Sequence, residues 1–363
     1  MGEAIAVRPD QAFLRRVLAS GGGDVKKCYQ CATCSVVCEL SGEESPFPRK
    51  QMLEAQWGLK ERLALDPAVW LCYNCGKCTK QCPRGARPGD VLGAVRREVI
   101  RQFAFPRFLG SLVADPKALA LLFLLPALIF TAVLLWAPKP VPAAAFEFGS
   151  LFPASVLEPL FFAISGFALL AFGVGVARFA RGLRESAGEG MAGGLPDALK
   201  DIATHQRFAQ CEESVMRLAH LLTFWGFVGL AIVGTLTGIG TMAGVVRTPL
   251  VLTSPLKIFA NVSAALALAG VVLLLVRRIG DPARRTGSTY FDWFFLAALA
   301  GVVITGIASE LLRLAHTEAM YAVYFVHLVL IFTLLLYAPY SKFAHLAYRT
   351  VALASVRKSN QRS

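Results

Sequence analysis

Eight of the nine cysteines fall into two runs with the same spacing. Cys28, Cys31, Cys34 and Cys38 form C-x₂-C-x₂-C-x₃-C, and Cys72, Cys75, Cys78 and Cys82 repeat it, followed by Pro83. A cubane [4Fe–4S] cluster needs four thiolates converging on one small body. A C-x₂-C-x₂-C loop wraps three of them around one face, and in two-cluster ferredoxins the fourth comes from the other motif. This rule assigns Cys28, Cys31, Cys34 and Cys82 to one cluster, and Cys72, Cys75, Cys78 and Cys38 to the other. Zinc sites draw four ligands from two C-x₂-C pairs, which two matched sets of four fit poorly. Glu39 follows the first motif where Pro83 follows the second; this removes no ligand. Cys211 stands alone and reads as a reduced thiol.

The five histidines are His205, His220, His316, His327 and His345. An ionisable side chain inside a membrane span is functional by default. His327 and His345 are 18 residues apart, five helical turns or about 27 Å, close to the thickness of the hydrocarbon core. Read as one helix, that segment offers an imidazole near each membrane face, which suits two haems b stacked across a helix bundle. His220 lies about a turn inside the start of the third apolar run, at the depth of His345, so the two could share one haem b. Positions 230–238 offer no partner for His327. A second haem would then be five-coordinate on His327 or take His316 or Met242. An alternative register pairs His205 with His345 and His220 with His327, but requires the third span to begin some ten residues earlier.

The elements that must position these groups follow from composition. The chain has 363 residues, 55% of them hydrophobic and 17% charged. Uncharged runs at 118–137, 159–177, 218–246, 258–276, 293–309 and 319–341 are each long enough to cross a bilayer as a helix. Residues 1–116 hold the charge density of a soluble domain. The N-terminus shows no apolar leader, so that domain is expected in the cytoplasm, where clustered cysteines imply metal before disulfides. With six spans the C-terminus lies inside too. Sixteen of the twenty Lys and Arg after residue 116 then fall on the cytoplasmic side, as the positive-inside rule requires. The net charge of +13 has this explanation, and no basic run interleaved with aromatics suggests nucleic acid. No flavin or nicotinamide fingerprint occurs, and glycines such as Gly234 read as helix-packing positions.

The expected architecture is all-α: a helical two-cluster ferredoxin domain followed by a six-helix transmembrane cytochrome b bundle. The boundaries are 1–105 for the ferredoxin domain, expected to be soluble alone, 106–116 for a linker, 117–350 for the haem b domain and 351–363 for a cytoplasmic tail. Between the cysteine motifs, Arg49–Trp57 and Leu59–Leu65 read as short helices. Residues 178–214 read as a loop, flexible from Ser186 to Gly194.

The N-terminal third resembles the C subunit of heterodisulfide reductases, and within that group the membrane subunit of quinone-modifying (quinone-interacting) oxidoreductase complexes. The resemblance rests on Cys28-Tyr-Gln-Cys-Ala-Thr-Cys-Ser, on Pro46-Phe-Pro-Arg-Lys-Gln-Met and on Cys82-Pro-Arg-Gly-Ala-Arg-Pro-Gly-Asp. The membrane part is similar to the cytochrome b (gamma) subunit of respiratory nitrate reductase and to the E subunit of heterodisulfide reductase, over Arg217-Leu-Ala-His-Leu-Leu-Thr-Phe-Trp-Gly-Phe and over His327 to His345. Four histidines bind two haems b in the gamma family; His220, His327 and His345 match three, and the fourth falls near Leu230. The resemblance implies an electron-transfer subunit linking membrane menaquinone to cytoplasmic flavoprotein and iron–sulfur subunits (QmoA- and QmoB-like), and ultimately to adenylylsulfate reductase. A membrane heterodisulfide reductase or a sulfite-reduction complex shares that fold with different partners. A transporter with a cluster domain would show inverted repeats and broken helices. Quinol oxidation releases two protons and needs a base near the acceptor; Glu310 and His316, near the external face, are the candidate proton acceptors, with Arg313 as a polar anchor.

Overall fold

The computed structural model describes residues 8–43, 45–136, 146–187, 194–206 and 214–360. Among them every regular element is helical and no strand occurs. Six helices are long and apolar enough to cross a membrane: Pro116–Trp136, Ala154–Glu185, Ser214–Met242, Pro255–Gly280, Tyr290–Leu314 and Ala319–Tyr340, here spans one to six. Span five is the one whose uncharged run was shortest. It starts before Asp292 and passes Glu310, and Thr289 with Asp292 forms a capping box at its start.

Spans three and four pack through small residues. A methyl on Gly226 would meet the Ala267 backbone nitrogen at 2.5 Å, and one on Gly270 would meet the Thr223 nitrogen at 2.4 Å. Glycine thus lets two backbones approach where hydrocarbon offers no hydrophobic drive between helices.

Two expectations are corrected. Residues 178–187 continue span two as one helix, Ala154–Ala187, because Phe179 and Leu183 are buried in the core of the N-terminal domain and tertiary packing carries the helix beyond the apolar run. Cys211 and residues 188–193 lie outside the described residues. Secondly, His327 and His345 are not on one helix. The helix Ala319–Tyr337 gives way to 3-10 turns at Ala338–Tyr340 and Lys342–Ala344 before the C-terminal helix His345–Asn360 begins. Pro339 has no backbone N–H to continue the ladder, and Ser341 is extended at ψ −175° with its hydroxyl accepting from the Phe343 N–H.

In the N-terminal domain the expected short helices form as Arg49–Gln56 and Lys60–Ala64. The helix Pro88–Phe103 starts with proline in its first turn, where no donor is lost. It buries Val91, Leu92, Val95 and Val99 at helical spacing against Phe13, Met52, Leu63 and Trp70. Residues 106–116 carry a further helix, Arg107–Ala114, with Leu109 and Val113 buried. The core does not stop at the domain edge: the same cluster includes Phe179, Leu183, Tyr348 and Ala352 from the membrane part.

Candidate metal centres

The two cysteine loops share one backbone conformation. Two residues after the first cysteine, Gln30 (φ 60°) and Asn74 (φ 54°) are left-handed; two further on, so are Ala32 (φ 67°) and Gly76 (φ 81°). Each loop ends in a one-turn helix, Thr33–Val36 and Lys77–Lys80, and these two helices pack together. The paired left-handed residues curl each loop so that its cysteines face one centre.

One cavity is lined by Cys28, Cys31 and Cys34 together with Cys82 of the other motif, beside Arg49, Tyr29 and Pro83. Cys38, conversely, lies within electrostatic reach of Cys72 and Cys75, and Cys78 within reach of Cys72, Cys75 and Cys38, with Cys34 a weaker neighbour of both. Burial pushes the Cys78 thiol up to about 12, with Cys72 and Cys75 adding to the effect. Burial likewise raises Cys34 and Cys38. Cys31 is exposed, and the Thr33 hydroxyl beside its sulfur at 3.4 Å lowers it. Four thiols facing one centre repel as thiolates unless cationic iron lies between them, so both donor sets fit a thiolate-ligated cluster. Among the described residues no three His, Cys, Asp or Glu side chains are gathered tightly enough for a single metal ion; a cubane holds its thiolates farther apart than one ion does.

Donors aimed at the sulfurs and clamps behind the loops complete the site. The Asn74 N–H points at Cys72 Sγ and the Ala86 N–H at Cys82 Sγ, both at 3.3 Å, the kind of bond that tunes cluster potentials. Gln56 Nε2 donates to the carbonyls of Val25 (3.0 Å) and Cys28 (2.8 Å), holding the first loop. Arg96 does the same for the second, donating to Val69 and Cys72 at 2.7 Å. Sequence reasoning singled out neither residue. Glu39, after the first motif, accepts from Lys77 of the second at 3.0 Å, tying the loops together.

Three of the histidines converge. The His205 and His220 rings lie 6.1 Å apart, and His345 is within electrostatic reach of His220. Span three starts at Ser214 among the described residues, so His205 reaches this place from the end of the helix Leu195–Thr204 and not from an extended span. His345 Nδ1 lies against the Lys342 carbonyl. A carbonyl only accepts, so Nδ1 carries the proton and Nε2 keeps the lone pair a metal would take. His327 is deeper, beside span five. Thr305 donates its hydroxyl proton to the Gly301 carbonyl at 2.5 Å, so its oxygen accepts from His327 Nδ1 at 3.0 Å. Here too Nε2 is left with its lone pair, and Gly306 makes room for the ring: a methyl there would sit 2.8 Å from Cε1. At the bundle end away from the cysteines, His316 is exposed with Phe146 against it at 5.3 Å, Glu310 is ion-paired with Lys257 of span four, and Met242 is 60% exposed.

Comparison with known proteins bears on the cysteine half. A 4Fe-4S dicluster domain family matches residues 24–86, which hold all eight motif cysteines. The C subunit of the H(2):CoB-CoM heterodisulfide,ferredoxin reductase of Methanothermobacter thermautotrophicus is 36% identical over 93 residues, 25% of this chain and 50% of that protein. A protein of Archaeoglobus profundus described as like the C subunit of heterodisulfide reductase is 34% identical over 89 residues, covering 24% and 45%. The C subunit of the ferredoxin:CoB-CoM heterodisulfide reductase of Methanosarcina mazei is 33% identical over 89 residues, covering 24% and 55%. The chain spans about half the length of the curated relatives it matches. No solved structure matches it. The N-terminal part is a dicluster ferredoxin domain like that of the heterodisulfide reductase C subunits, joined in one chain to a region of six membrane-length helices.

Proposed function

We propose that this protein is the membrane-anchoring electron-transfer subunit of a quinone-linked oxidoreductase complex. Cys28, Cys31, Cys34 and Cys82 would hold one [4Fe–4S] cluster, and Cys72, Cys75, Cys78 and Cys38 the other. His220 and His345 would hold one haem b, and His327 a second. When bound, these groups supply one-electron redox steps; the chain fixes their ligands, excludes water and sets the donors around them. The observation that carries the reading is the cavity in which three cysteines of the first motif meet the last of the second, within the same continuous core as the helix that begins at His345. The His205–His220 contact brings both candidates to the site, so the second assignment, His205 with His345 and His220 with His327, is tested beside the first.

The ferredoxin domain and both termini are assigned to the cytoplasm on the basic-residue bias. Menaquinone is the membrane substrate on the resemblance of the chain to quinone-interacting complexes. On the same ground the soluble partners are flavoprotein and iron–sulfur subunits, with adenylylsulfate reductase beyond them, in dissimilatory sulfur metabolism. Of the two proposed quinol proton acceptors, His316 is open to solvent and Glu310 is held by Lys257. Glu310→Gln and His316→Ala, assayed with a menaquinol analogue, test that site; unchanged oxidation with haem content intact moves it elsewhere. The reading as a whole is tested by purifying the full chain anaerobically. About eight irons with matching labile sulfide and a reduced-minus-oxidised haem b band are expected. Stoichiometric zinc without sulfide, or no haem band, overturns the corresponding half.

A further inference from the structure

The second cysteine motif is one of the places where the membrane region holds the ferredoxin domain; Arg87 and Arg97, which donate to Thr286 and Thr289, mark others. The C-terminal helix begins at His345, and its next turn presents Tyr348 and Arg349. Tyr348 stacks on Trp70 with ring centroids 5.1 Å apart. The Arg349 guanidinium lies 4.0 Å from the centre of the Tyr73 ring, and its Nη2 donates to the Leu71 carbonyl at 3.4 Å. Tyr73 directly follows Cys72, and Arg349 stands about 6 Å along the helix from His345. Arg96 also donates to this loop, at the Val69 and Cys72 carbonyls.

Both guanidiniums are at least half-buried, and among the described residues neither Arg96 nor Arg349 is ion-paired with a carboxylate; their contacts are the Tyr73 ring and the carbonyls of Val69, Leu71 and Cys72. Two guanidiniums removed from water beside each other need a counter-charge, and a cluster ligated by four thiolates is an anion. The first motif's own loop is the more open of the two. Tyr29 is 68% exposed and Val36 84%, and the guanidinium over Tyr29, Arg84 at 4.2 Å, comes from within the domain itself.

Resting on the cluster and haem reading above, we propose that the cluster at Cys72, Cys75, Cys78 and Cys38 is the membrane-proximal one. Arg96 and Arg349 are its counter-charges, and the Tyr73–Arg349 stack is the contact that couples it to the His345 site. The cluster at Cys28, Cys31, Cys34 and Cys82 then faces the soluble partner. Arg349 is a positioning residue that touches neither iron nor substrate. It acts by favouring the more negative, reduced form of one cluster only, since the net charge around a cluster sets its potential.

The test is a redox titration of the full chain in nanodiscs, followed by electron paramagnetic resonance. The two cluster signals are assigned beforehand with Cys31→Ser and Cys75→Ser. Arg349→Met is expected to lower the potential of the signal that Cys75→Ser perturbs, shifting the electron equilibrium away from that cluster about tenfold, the size of a lost charge-assisted contact. The other signal stays in place, and Arg349→Lys restores most of the shift. Should Arg349→Met lose iron, Arg349→Gln, which keeps a donor toward Leu71 but not the charge, carries the same readout. A shift in the signal assigned by Cys31→Ser, an equal shift in both, or none overturns the proposal. A wild-type chain with two cluster signals and no haem band removes the haem reading, and the same titration still decides which cluster lies against Arg349.

Discussion

His345 and His327 show the same arrangement at different places: Nδ1 is engaged by an oxygen that accepts, and Nε2 is left as the ligating atom. Outer partners of this kind set ring orientation and ligand basicity, and losing one costs roughly 10–100-fold in metal affinity. Thr305→Val is therefore expected to weaken haem binding at His327 by about that factor while sparing the site at His345, measured by haem titration of the apo chain. At the other site, His345→Ala should abolish a low-spin bis-histidine signal. His220→Ala and His205→Ala made in parallel decide which of those two is its partner, since only one should reproduce the loss. Away from the redox groups, Glu54 is 5% exposed, and burial, with Asp66 adding to it, raises its pKa. A carboxyl whose folded pKa lies above its unfolded value favours the fold while protonated and costs stability as pH rises through the folded pKa. Glu54→Gln should stabilise the full chain at pH 7 by about 1 kcal/mol, with the gain fading toward pH 4, as read from thermal loss of cluster absorbance. The ligand cysteines were legible because their spacing is itself the chemistry. Gln56 and Arg96 were not: each is a polar residue on an amphipathic helix, like many on solvated faces, and its carbonyl partners lie 24 to 31 residues away.

Six membrane-length helices were legible as elements from hydropathy alone, because crossing hydrocarbon demands uncharged length whatever the neighbours are. Their ends were not. Span two continues to Ala187 because its last turns pack on the ferredoxin domain, a contact that composition does not carry. The break after Tyr337 is written in the sequence as Pro339, yet the 18-residue interval between His327 and His345 suits an unbroken helix equally well, and periodicity alone does not weigh one against the other. The turn has a use: it lets the C-terminal helix leave the line of span six and present Tyr348 and Arg349 to the second cysteine loop. Spans three and four are held by close backbone approach at Gly226 and Gly270, and Gly229 makes room for the Ser263 side chain. Gly226→Leu places a side chain where the Ala267 backbone stands 2.5 Å from an added methyl, and a backbone gives way less readily than a side chain. A loss of roughly 1–3 kcal/mol, the usual range for overpacking, is expected in detergent unfolding of the full chain. Gly234→Leu, where nothing lies within 4 Å of an added methyl, should be close to neutral.

For the whole molecule, the most consequential feature is that the soluble-looking domain and the membrane bundle share one core. Charge density in residues 1–116 suggests a module that would fold and remain soluble alone. Trp70 is where the contact across that boundary is concentrated. This side chain is 1% exposed, stacked on Tyr348 and set edge-on to Phe179 at 6.1 Å, and both partners lie beyond residue 105. Leu71, 7% exposed, packs with Ala198, Leu353 and Ala354, again outside the domain. A fragment ending at residue 105 uncovers these side chains together beside the second cysteine loop, forming a contiguous apolar patch of the kind that drives association. The prediction is that residues 1–105, expressed and reconstituted anaerobically, will elute as an aggregate or require detergent. Its second cluster should be lost faster than its first, reversing the order expected in the full chain, where Cys31 is the exposed ligand. Tyr348→Ala in the full chain isolates the same contact without truncation. Removing a buried aromatic costs about 3–5 kcal/mol, and here the loss should appear as earlier thermal release of the second cluster while the first is retained. A fragment 1–105 that is monomeric, soluble and carries both clusters with unchanged stability would show that the shared core is a contact between two independent modules, and the domain boundary read from charge alone would stand.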